Sequence, residues 1–340
     1  MVEFVQRRRI FVFSHARTCS NLFLRLLESH PALGVKLYPF MYAMLWGPES
    51  PSRRTENVED PLLDELKEKY SNATFQSQLQ EFECAITEIE AQGKILVVKE
   101  HPYHMMYPHI TLDDITPEDR PIAPIVDNLL DLPEAERNVG AAATPLLPIP
   151  NPTFLPDRLF VTFTPILTIR HPCRLIPSLK RAMETIGAPF PNKDSPWDTQ
   201  FKWQRMVYDC YKAWFSTPEG IEAAGGASIA KHLPIVVDGD KLVNDPQGQM
   251  ETLCQILELD PFGIQYSWDV RDSIGHDAFA GTLSKSTGII KGKDGSDRTP
   301  ELDVEMKKWT NAWGEETANG IEILVNKMME DYEYLFERSI

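Results

Sequence analysis

The sequence predicts an α/β fold in which a central parallel sheet lies between two layers of helices. Four short apolar runs, rich in β-branched and aromatic residues, have the composition of buried strands. These runs are residues 9–14, 95–99, 165–170 and 234–238. Amphipathic segments separate them, and strands that alternate with helices pair in parallel, with helices on both faces of the sheet. Because ligands of such sheets bind at the carboxyl ends of the strands, the residues after each run are the first candidates for a site.

The segments between the strands predict the helices. Residues 61–91 are rich in Glu, Lys and Gln with a sparse apolar stripe, and residues 197–216 carry an aromatic stripe typical of a core helix. Residues 246–259 begin with a proline and continue with apolar side chains at helical spacing. The residues from Glu301 onward predict a pair of amphipathic helices packed on the domain.

Composition and charge narrow the class of protein. With 340 residues and 42% hydrophobic content, the chain has ample material for a core, and one large α/β domain over residues 1–340 or two smaller domains would fit. A net charge of −16 argues against a nucleic-acid-binding surface, and any polyanion site must collect its basic residues in one cleft. No apolar run reaches about 18 residues, and no apolar leader follows the basic N-terminus. We therefore expect a cytoplasmic protein without a membrane span.

The cysteines are widely spaced and form no Cys-x-x-Cys pair. They are Cys19, Cys84, Cys173, Cys210 and Cys254. This pattern predicts reduced thiols, and neither a disulfide framework nor a zinc site.

Residues 108–160 interrupt the alternation of strands and helices. The stretch is rich in proline and contains a cluster of acidic residues and the proline-rich run 145–152. A long irregular stretch in a compact domain is either a binding loop or a disordered insertion. We interpret it as a lid over a ligand pocket, with a disordered insertion as the alternative.

The first strand leads into a helix pattern through a short polar turn. The turn carries Arg17 and the small polar residues Thr18, Ser20 and Asn21. The free N–H groups and the positive dipole end of such a helix attract a phosphate or sulfate, and Arg17 adds a charged fork of donors. The Gly-x-x-x-x-Gly-Lys-Ser/Thr nucleotide loop is absent. The turn predicts an oxyanion site of another kind, with an ordinary strand–helix corner as the alternative.

A second strand is followed by the sequence Lys-Glu-His-Pro at residues 99–102. Alternate residues of a strand face the same side, so Lys99 and His101 are expected together at its carboxyl end. A neutral imidazole there, with a nearby cation that keeps its pKa from rising, accepts a proton from a hydroxyl at neutral pH. His104 and His109 lie close by in sequence, and either is an alternative base. A purely structural histidine is the other interpretation.

The third motif begins at Arg170, and Ser178 follows it by eight residues after two prolines. The strand brings Arg170 to the same edge of the sheet as the first turn, and the following helix offers Ser178 and backbone donors to a second phosphate. Arg174, Lys180 and Arg181 add positive charge in an otherwise acidic chain. A basic helix start without a ligand is the alternative.

These three motifs, in this order, resemble those of the sulfotransferases. The 5′-phosphosulfate loop of that family has Lys or Arg followed by Ser-Gly-Thr-Thr. The residues that the resemblance places in the loop are Arg17, Thr18, Cys19, Ser20 and Asn21. Cys19 stands where the family has Gly, Asn21 where it usually has Thr, and Leu22 where many members have a Trp that stacks on adenine.

The resemblance also assigns the other motifs. Sulfotransferases carry a Lys-x-His-x-Pro stretch whose His is the catalytic base, which corresponds to His101. Their 3′-phosphate motif, Arg-x-Pro with a Ser eight residues after the Arg, corresponds to Arg170 and Ser178. A late basic loop over the 3′-phosphate corresponds to Lys291 and Lys293, unless these are lysines of an ordinary surface loop. The Tyr of the family's Tyr-Glu-Asp-Leu segment, which contacts adenine, is missing.

The resemblance implies a three-layer α/β/α fold like that of nucleotide kinases but without the ATP loop. It implies sulfonate transfer from the co-substrate 3′-phosphoadenosine 5′-phosphosulfate to a hydroxyl of a small molecule of secondary metabolism, with no metal. The catalytic residues would be His101, Lys99 and Arg17. The partner is the small-molecule acceptor, with no nucleic acid and no membrane, and a homodimer stays open.

Two other functions stay open. Cys19, Leu22 and the missing Tyr also fit a protein of this fold that has lost the donor and catalyses the cyclisation, dehydration or condensation of a small metabolite. The other is a non-catalytic nucleotide-binding or scaffold protein. Binding of adenosine 3′,5′-bisphosphate, which stabilises a protein that has the donor site, distinguishes these functions.

Overall fold

The computed structural model describes residues 9–50, 61–107, 110, 125–128, 147–192, 195–271, 277–291 and 299–340. Within these ranges one parallel sheet has the strand order β2-β3-β1-β4-β5. The strands are β1 (Arg9–Ser14), β2 (Leu33–Leu37), β3 (Ile95–Glu100), β4 (Phe163–Ile169) and β5 (Ile235–Asp238). The four predicted strands are confirmed. Strand β2 is an addition to the prediction, because this short run at the edge of the sheet contains Gly34 and is only half-buried.

Helices connect the strands. In the described ranges they are α1 (Ser20–Glu28), α2 (Met41–Trp46), α3 (Pro61–Tyr70), α4 (Phe75–Ala91), α5 (Asp157–Phe160), α6 (Pro172–Thr185), α7 (Ser195–Asp198), α8 (Lys202–Trp214), α9 (Pro218–Ala223), α10 (Ala227–Ala230), α11 (Gly239–Asn244), α12 (Pro246–Leu257), α13 (Asp277–Ser284), α14 (Leu302–Trp313) and α15 (Glu315–Phe336). Short 3₁₀ turns lie at Pro102–His104 and Pro261–Gly263. The predicted pair of helices near the end of the sequence is confirmed as α14 and α15.

The predicted helical stretch 61–91 is divided into α3 and α4 by a cap. The Thr74 hydroxyl accepts a hydrogen bond from the Ser77 N–H, and the Ser77 hydroxyl accepts one from the Thr74 N–H. This reciprocal pair satisfies donors that a new helix start leaves without partners. Because residues 61–91 are polar throughout, their composition did not reveal the boundary between α3 and α4.

The central strand β1 is buried on both faces. Phe13 packs on Tyr211 of α8 with ring centroids 6.0 Å apart, and Phe11 packs edge-on against Phe163 of β4. Ile10 and Val12 face the opposite side and are no more than 2% exposed. A sheet covered on both faces is the three-layer α/β/α arrangement that the sequence predicts.

Part of the interrupting stretch 108–160 belongs to the core. Phe154 packs on Phe40 and Phe75, with ring centroids 5.1 and 4.4 Å away, and Phe160 stacks on Tyr211. Most of the predicted lid lies outside the described residues, so the lid stays a prediction.

None of the described helices is both long and apolar enough to cross a bilayer. In the same part of the chain, no three His, Cys, Asp or Glu side chains are grouped so that they could hold a metal ion. The five cysteines, all of which are described, are free thiols.

Candidate active site

The parallel sheet brings the ends of its strands to one edge. In the order of the strands, the segments that follow them carry Tyr38, His101, the turn 15–19, Arg170 and Asp240. Strand β1 leads to β2 on one side of the sheet, whereas β4 leads to β5 on the other. Open α/β sheets bind ligands where the connections diverge in this way. The turn after β1 and Arg170 after β4 lie at this switch point.

The turn after β1 has a strained backbone. Arg17 and Cys19 have φ values of 67° and 60°, in the left-handed region that residues other than glycine rarely adopt. Cys19 is the residue before α1, and its side chain makes no capping hydrogen bond in the described structure. The first N–H groups of α1 are therefore left available to an anion.

Arg17 and Arg170 meet beside this turn. Arg17 Nε donates to Ser178 Oγ at 3.0 Å, and Arg170 Nη1 reaches the Arg17 carbonyl oxygen at 3.4 Å. Burial and the nearby charge of Arg170 both lower the pKa of Arg17. Two like charges held this close lose repulsion when an anion binds between them. The structure thus brings together the residues of the first and third motifs.

The Thr18 side chain faces the interior. Its hydroxyl donates to the His15 carbonyl oxygen at 2.8 Å and lies 2.8 Å from Thr168 Oγ1 on β4. Thr18 is 1% exposed and Ser20 is 5% exposed. The Thr18 hydroxyl therefore holds the turn against the sheet.

Asn21 connects α1 to the end of β3. Its Oδ1 accepts a hydrogen bond from Lys99 Nζ at 2.6 Å, and its Nδ2 donates to the Phe279 carbonyl oxygen at 3.2 Å. Lys99 is 1% exposed, and burial lowers its pKa to about 7 although neighbouring Glu100 acts in the opposite direction. A buried amine that loses its proton near neutral pH can act as a charge partner or as a proton donor.

The His101 ring has a defined tautomer. Nδ1 lies 2.6 Å from the Ser14 carbonyl oxygen, which can only accept, so Nδ1 carries the hydrogen. The lone pair is then on Nε2. Burial is the main cause that lowers the pKa of His101 well below its usual value, and His104 and Lys99 lower it further. The ring is therefore neutral at pH 7 and able to accept a proton.

His104 belongs to a buried network. Its Nδ1 lies 2.6 Å from Glu100 Oε1, and the same carboxylate accepts from the backbone N–H groups of His101 and Phe40 at 2.8 Å. This network fixes the end of β3, where His101 begins to leave the strand. The other alternative base, His109, lies outside the described residues.

Asp240 is a component of the site that the sequence motifs did not single out as a binding residue. Its Oδ1 accepts from Arg170 Nε at 3.0 Å and pairs with Arg174 Nη1 at 3.2 Å. Asp238, two residues earlier, caps α11 by accepting from two backbone N–H groups, and burial raises its pKa to about 6. The Asp240 carboxylate thus orients two guanidinium groups at the edge of the sheet.

The late basic loop is not brought to this cluster in the described residues. Lys291 is exposed and donates to the Asn244 carbonyl oxygen at 3.1 Å. Lys293 lies outside the described residues. Lys291 in this state supports the end of α11, and its predicted contact with a phosphate stays a prediction.

Two components of the site had no usable sequence signal. Tyr38 follows β2, the strand that the pattern did not predict. The Phe279 carbonyl oxygen accepts hydrogen bonds from both Arg17 Nη1 and Asn21 Nδ2, at 3.2 Å each. A backbone carbonyl acts independently of residue type, so composition cannot reveal it.

Comparison with known proteins supports the resemblance seen in the motifs. No family model matches the chain. A protein named sulfotransferase ppzF from Metarhizium rileyi (strain RCEF 4871) is 28% identical over 353 aligned residues, which cover 98% of this chain and 96% of that protein. The protein of the same name from Metarhizium majus (strain ARSEF 297) is 29% identical over 355, with the same coverage. The crystal structure of a sulfotransferase from Alicyclobacillus acidocaldarius aligns with 13% identity over 96% of this chain and 99% of that one, but at a TM-score of 0.38 it supports no conclusion.

The full-length relatives, together with the parallel sheet and its motifs, support one class of protein. They support a divergent member of the sulfotransferase family and an enzyme of the sulfotransferase type.

Proposed function

We propose that this enzyme transfers a sulfonate group from 3′-phosphoadenosine 5′-phosphosulfate to a hydroxyl of a small-molecule acceptor. The observation that supports the donor is the meeting of Arg17 and Arg170 at the switch point of the sheet, where Arg170 Nη1 lies 3.4 Å from the Arg17 carbonyl oxygen. A ligand with two separate anionic groups fits two guanidinium groups that come from distant parts of the chain. We further propose a cytoplasmic enzyme of secondary metabolism.

The residues present fit the two ends of this donor. The turn 15–19 and the start of α1 would hold the 5′-phosphosulfate, while Arg170 and Ser178 would hold the 3′-phosphate. Among the described side chains here, Arg17, Arg170 and Arg174 outnumber the carboxylates of Asp240, which pairs with two of them, and Asp238. The cluster therefore keeps a positive charge in a chain whose net charge is −16.

The chemistry is an in-line displacement at sulfur. The acceptor oxygen forms a bond to sulfur while the bond between sulfur and the bridging phosphate oxygen breaks, and that oxygen keeps the electron pair. His101 Nε2 takes the proton of the acceptor hydroxyl. Lys99 and Arg17 stabilise the charge that develops on the leaving phosphate. Such catalysis depends on positioning and electrostatics, and the products are a sulfate ester and adenosine 3′,5′-bisphosphate.

Thermal unfolding with adenosine 3′,5′-bisphosphate tests the donor assignment. A ligand at 100 times its Kd stabilises the folded state by about 2.7 kcal/mol, so a clear rise in Tm is expected. Adenosine 5′-monophosphate, which lacks the 3′-phosphate, is the matched control and should give a smaller rise. A folded protein that responds to neither nucleotide would contradict the proposal and favour a sulfotransferase-fold enzyme that does not use the donor. A screen of acceptors with labelled donor then identifies the substrate.

A further inference from the structure

Tyr38 occupies a strained position beside the candidate catalytic groups. Its backbone N–H donates to the Lys99 carbonyl oxygen at 2.7 Å, which continues the pairing of Leu37 with Lys99. Its φ is 47°, a left-handed value that is rare for a bulky residue. Backbone strain of this kind persists where the surrounding structure holds it, often at functional sites. The turn directs the ring back over the end of β3.

The Tyr38 ring contacts both candidate catalytic side chains of β3. Its centroid lies 4.7 Å from Lys99 Nζ, within the range of a cation–π contact. It also lies 5.2 Å from the centre of the His101 ring. On another side of the amine, Asn21 Oδ1 accepts from Lys99 Nζ at 2.6 Å. The amine is thus held between an aromatic face and an amide oxygen.

We propose that Tyr38 is a positioning residue, whose ring holds the Lys99 amine against Asn21 and the donor loop and keeps water away from it. This inference rests on the proposed function, because it assigns Lys99 to the charge of the leaving phosphate. The left-handed backbone of Tyr38 is the means by which the residue after β2 reaches the end of the neighbouring strand.

The charges around Lys99 allow the effect of the Tyr38 ring on the pKa of Lys99 to be separated from the effects of neighbouring charges. The described titratable groups around the amine are Glu100 and His101 from its own strand end and Tyr38 itself, and from the donor loop Arg17, whose charge acts on Tyr38. Burial raises the pKa of Tyr38 and lowers that of His101, so both are neutral at pH 7. Asn21, from α1, is uncharged. Loss of the ring would leave the neighbouring charges as they are, remove the cation–π contact and admit water to Lys99. Because burial is the main cause that lowers the pKa of Lys99, the gain of hydration is expected to outweigh the lost contact.

Two substitutions divide the role of the ring from that of the backbone. Tyr38→Phe keeps the ring. Tyr38→Asn removes it but tolerates the left-handed backbone, since Asn adopts this conformation more readily than most residues. Each protein is labelled with acetic anhydride over a range of pH. Mass spectrometry gives the midpoint for Lys99, which is the pH at which its acetylation is half-maximal, with exposed Lys327 as the internal reference.

The expected result is that Tyr38→Phe labels Lys99 with the wild-type midpoint, whereas Tyr38→Asn shifts the midpoint upward by at least one pH unit. The alkaline limb of kcat/KM should move by the same amount, because hydration restores the charged amine.

An unchanged midpoint in a folded Tyr38→Asn protein would overturn the proposal, and Tyr38→Leu serves as the ringless variant if the Asn protein does not fold. Labelling does not depend on turnover. A wild-type protein without sulfonate transfer would therefore refute the proposed function, while the midpoint still decides the role of Tyr38.

Discussion

A single carbonyl oxygen determines which nitrogen of His101 is available for chemistry. The Ser14 carbonyl ends β1 and accepts from Nδ1 at 2.6 Å, so the basic lone pair lies on Nε2. Burial keeps the ring neutral by lowering its pKa. The carbonyl that fixes the tautomer belongs to the strand that also carries the donor loop. The position of the base and the position of the donor are therefore set by the same strand.

The substitution His101→Ala should abolish turnover and leave nucleotide binding nearly unchanged. A positioned general base contributes about 10²–10⁴-fold to a rate, and His101 makes no contact with Arg17 or Arg170 in the described structure. Sulfonate transfer measured with labelled donor, together with calorimetry of adenosine 3′,5′-bisphosphate, checks both parts. The exposed His232→Ala is the matched control. Turnover retained in the His101 variant would refute its role as the base.

The substitution Arg170→Ala should weaken binding of the donor. A hydrogen bond to a charged group contributes about 1.5–3 kcal/mol, which corresponds to about a 10- to 150-fold rise in Kd. Calorimetry with adenosine 3′,5′-bisphosphate measures it. Arg205→Ala is the control, since that half-buried side chain pairs with Asp331 and Glu330 on α15. Equal affinity in the Arg170 and Arg205 variants would show that the 3′-phosphate binds elsewhere.

At the scale of elements, the start of α11 supports the donor loop. A Cβ built on Gly239 would lie 2.5 Å from the Thr18 carbonyl oxygen and 3.1 Å from the Cβ of Cys19. Backbone atoms cannot yield as a flexible side chain does. The helix start therefore packs directly on the turn after β1, and only glycine allows this approach.

The substitution Gly239→Ala should displace the turn. Overpacking of a close contact costs about 1–3 kcal/mol, which lowers the midpoint of urea unfolding, and nucleotide binding should weaken as the turn moves. Gly288→Ala is the control, because its added Cβ would meet only the Tyr266 carbonyl oxygen, at 3.5 Å. If Gly239→Ala and Gly288→Ala have the same midpoint of urea unfolding and the same affinity for the nucleotide, α11 does not support the donor loop.

Burial explains which elements the sequence could predict. Strands β1, β3, β4 and β5 are covered on both faces and so appear as continuous apolar runs. Strands β2 and β5 both lie at an edge of the sheet, but only β2 is half-buried, and this exposure admits Gly34 and Lys36 and removes that signal. Because β2 was missed, Tyr38 was missed with it.

At the scale of the whole molecule, the motifs predicted which groups meet at one edge of the sheet but not their order along it, which is His101, Arg17 and Arg170. Arg17, His101 and Arg170 each follow a buried strand, and parallel pairing brings strand ends together whatever their separation in sequence. Asp240 and the Phe279 carbonyl could not be predicted in the same way. Their contacts depend on how α11 and α13 pack, which short-range patterns do not encode.

A whole-molecule prediction concerns stability in acid. His171 caps α6 by accepting from the Cys173 N–H at 3.2 Å, and burial lowers its pKa from 6.5 to about 4. The unfolded chain takes up this proton first, so stability is lost as pH falls from 6.5 towards 4. The full difference is about 3 kcal/mol at 1.36 kcal/mol per pH unit. Asp238 acts in the opposite direction, because its pKa of about 6 lets the folded state take up a proton first.

The substitution His171→Asn should make the protein less sensitive to acid between pH 6.5 and 4. Asn caps a helix well and does not titrate, so the Asp238 contribution is common to both proteins and cancels. Urea unfolding at a series of pH values measures the difference, with exposed His232→Asn as the control. The expectation would be contradicted if the free energy of unfolding changed with pH in the same way for the His171 variant and the wild type.

The Phe279 carbonyl oxygen accepts from Arg17 and Asn21 at once, and this double contact has a consequence for how ligands compete. The two donors share one neutral internal acceptor. An anion that takes over these hydrogens must displace that acceptor, so a weakly charged ion such as chloride gains little from the exchange. A multiply charged nucleotide gains bonds between charged partners in place of two bonds to a neutral oxygen. The resting contact therefore filters ligands by charge density, and we expect common salts to inhibit the enzyme only weakly.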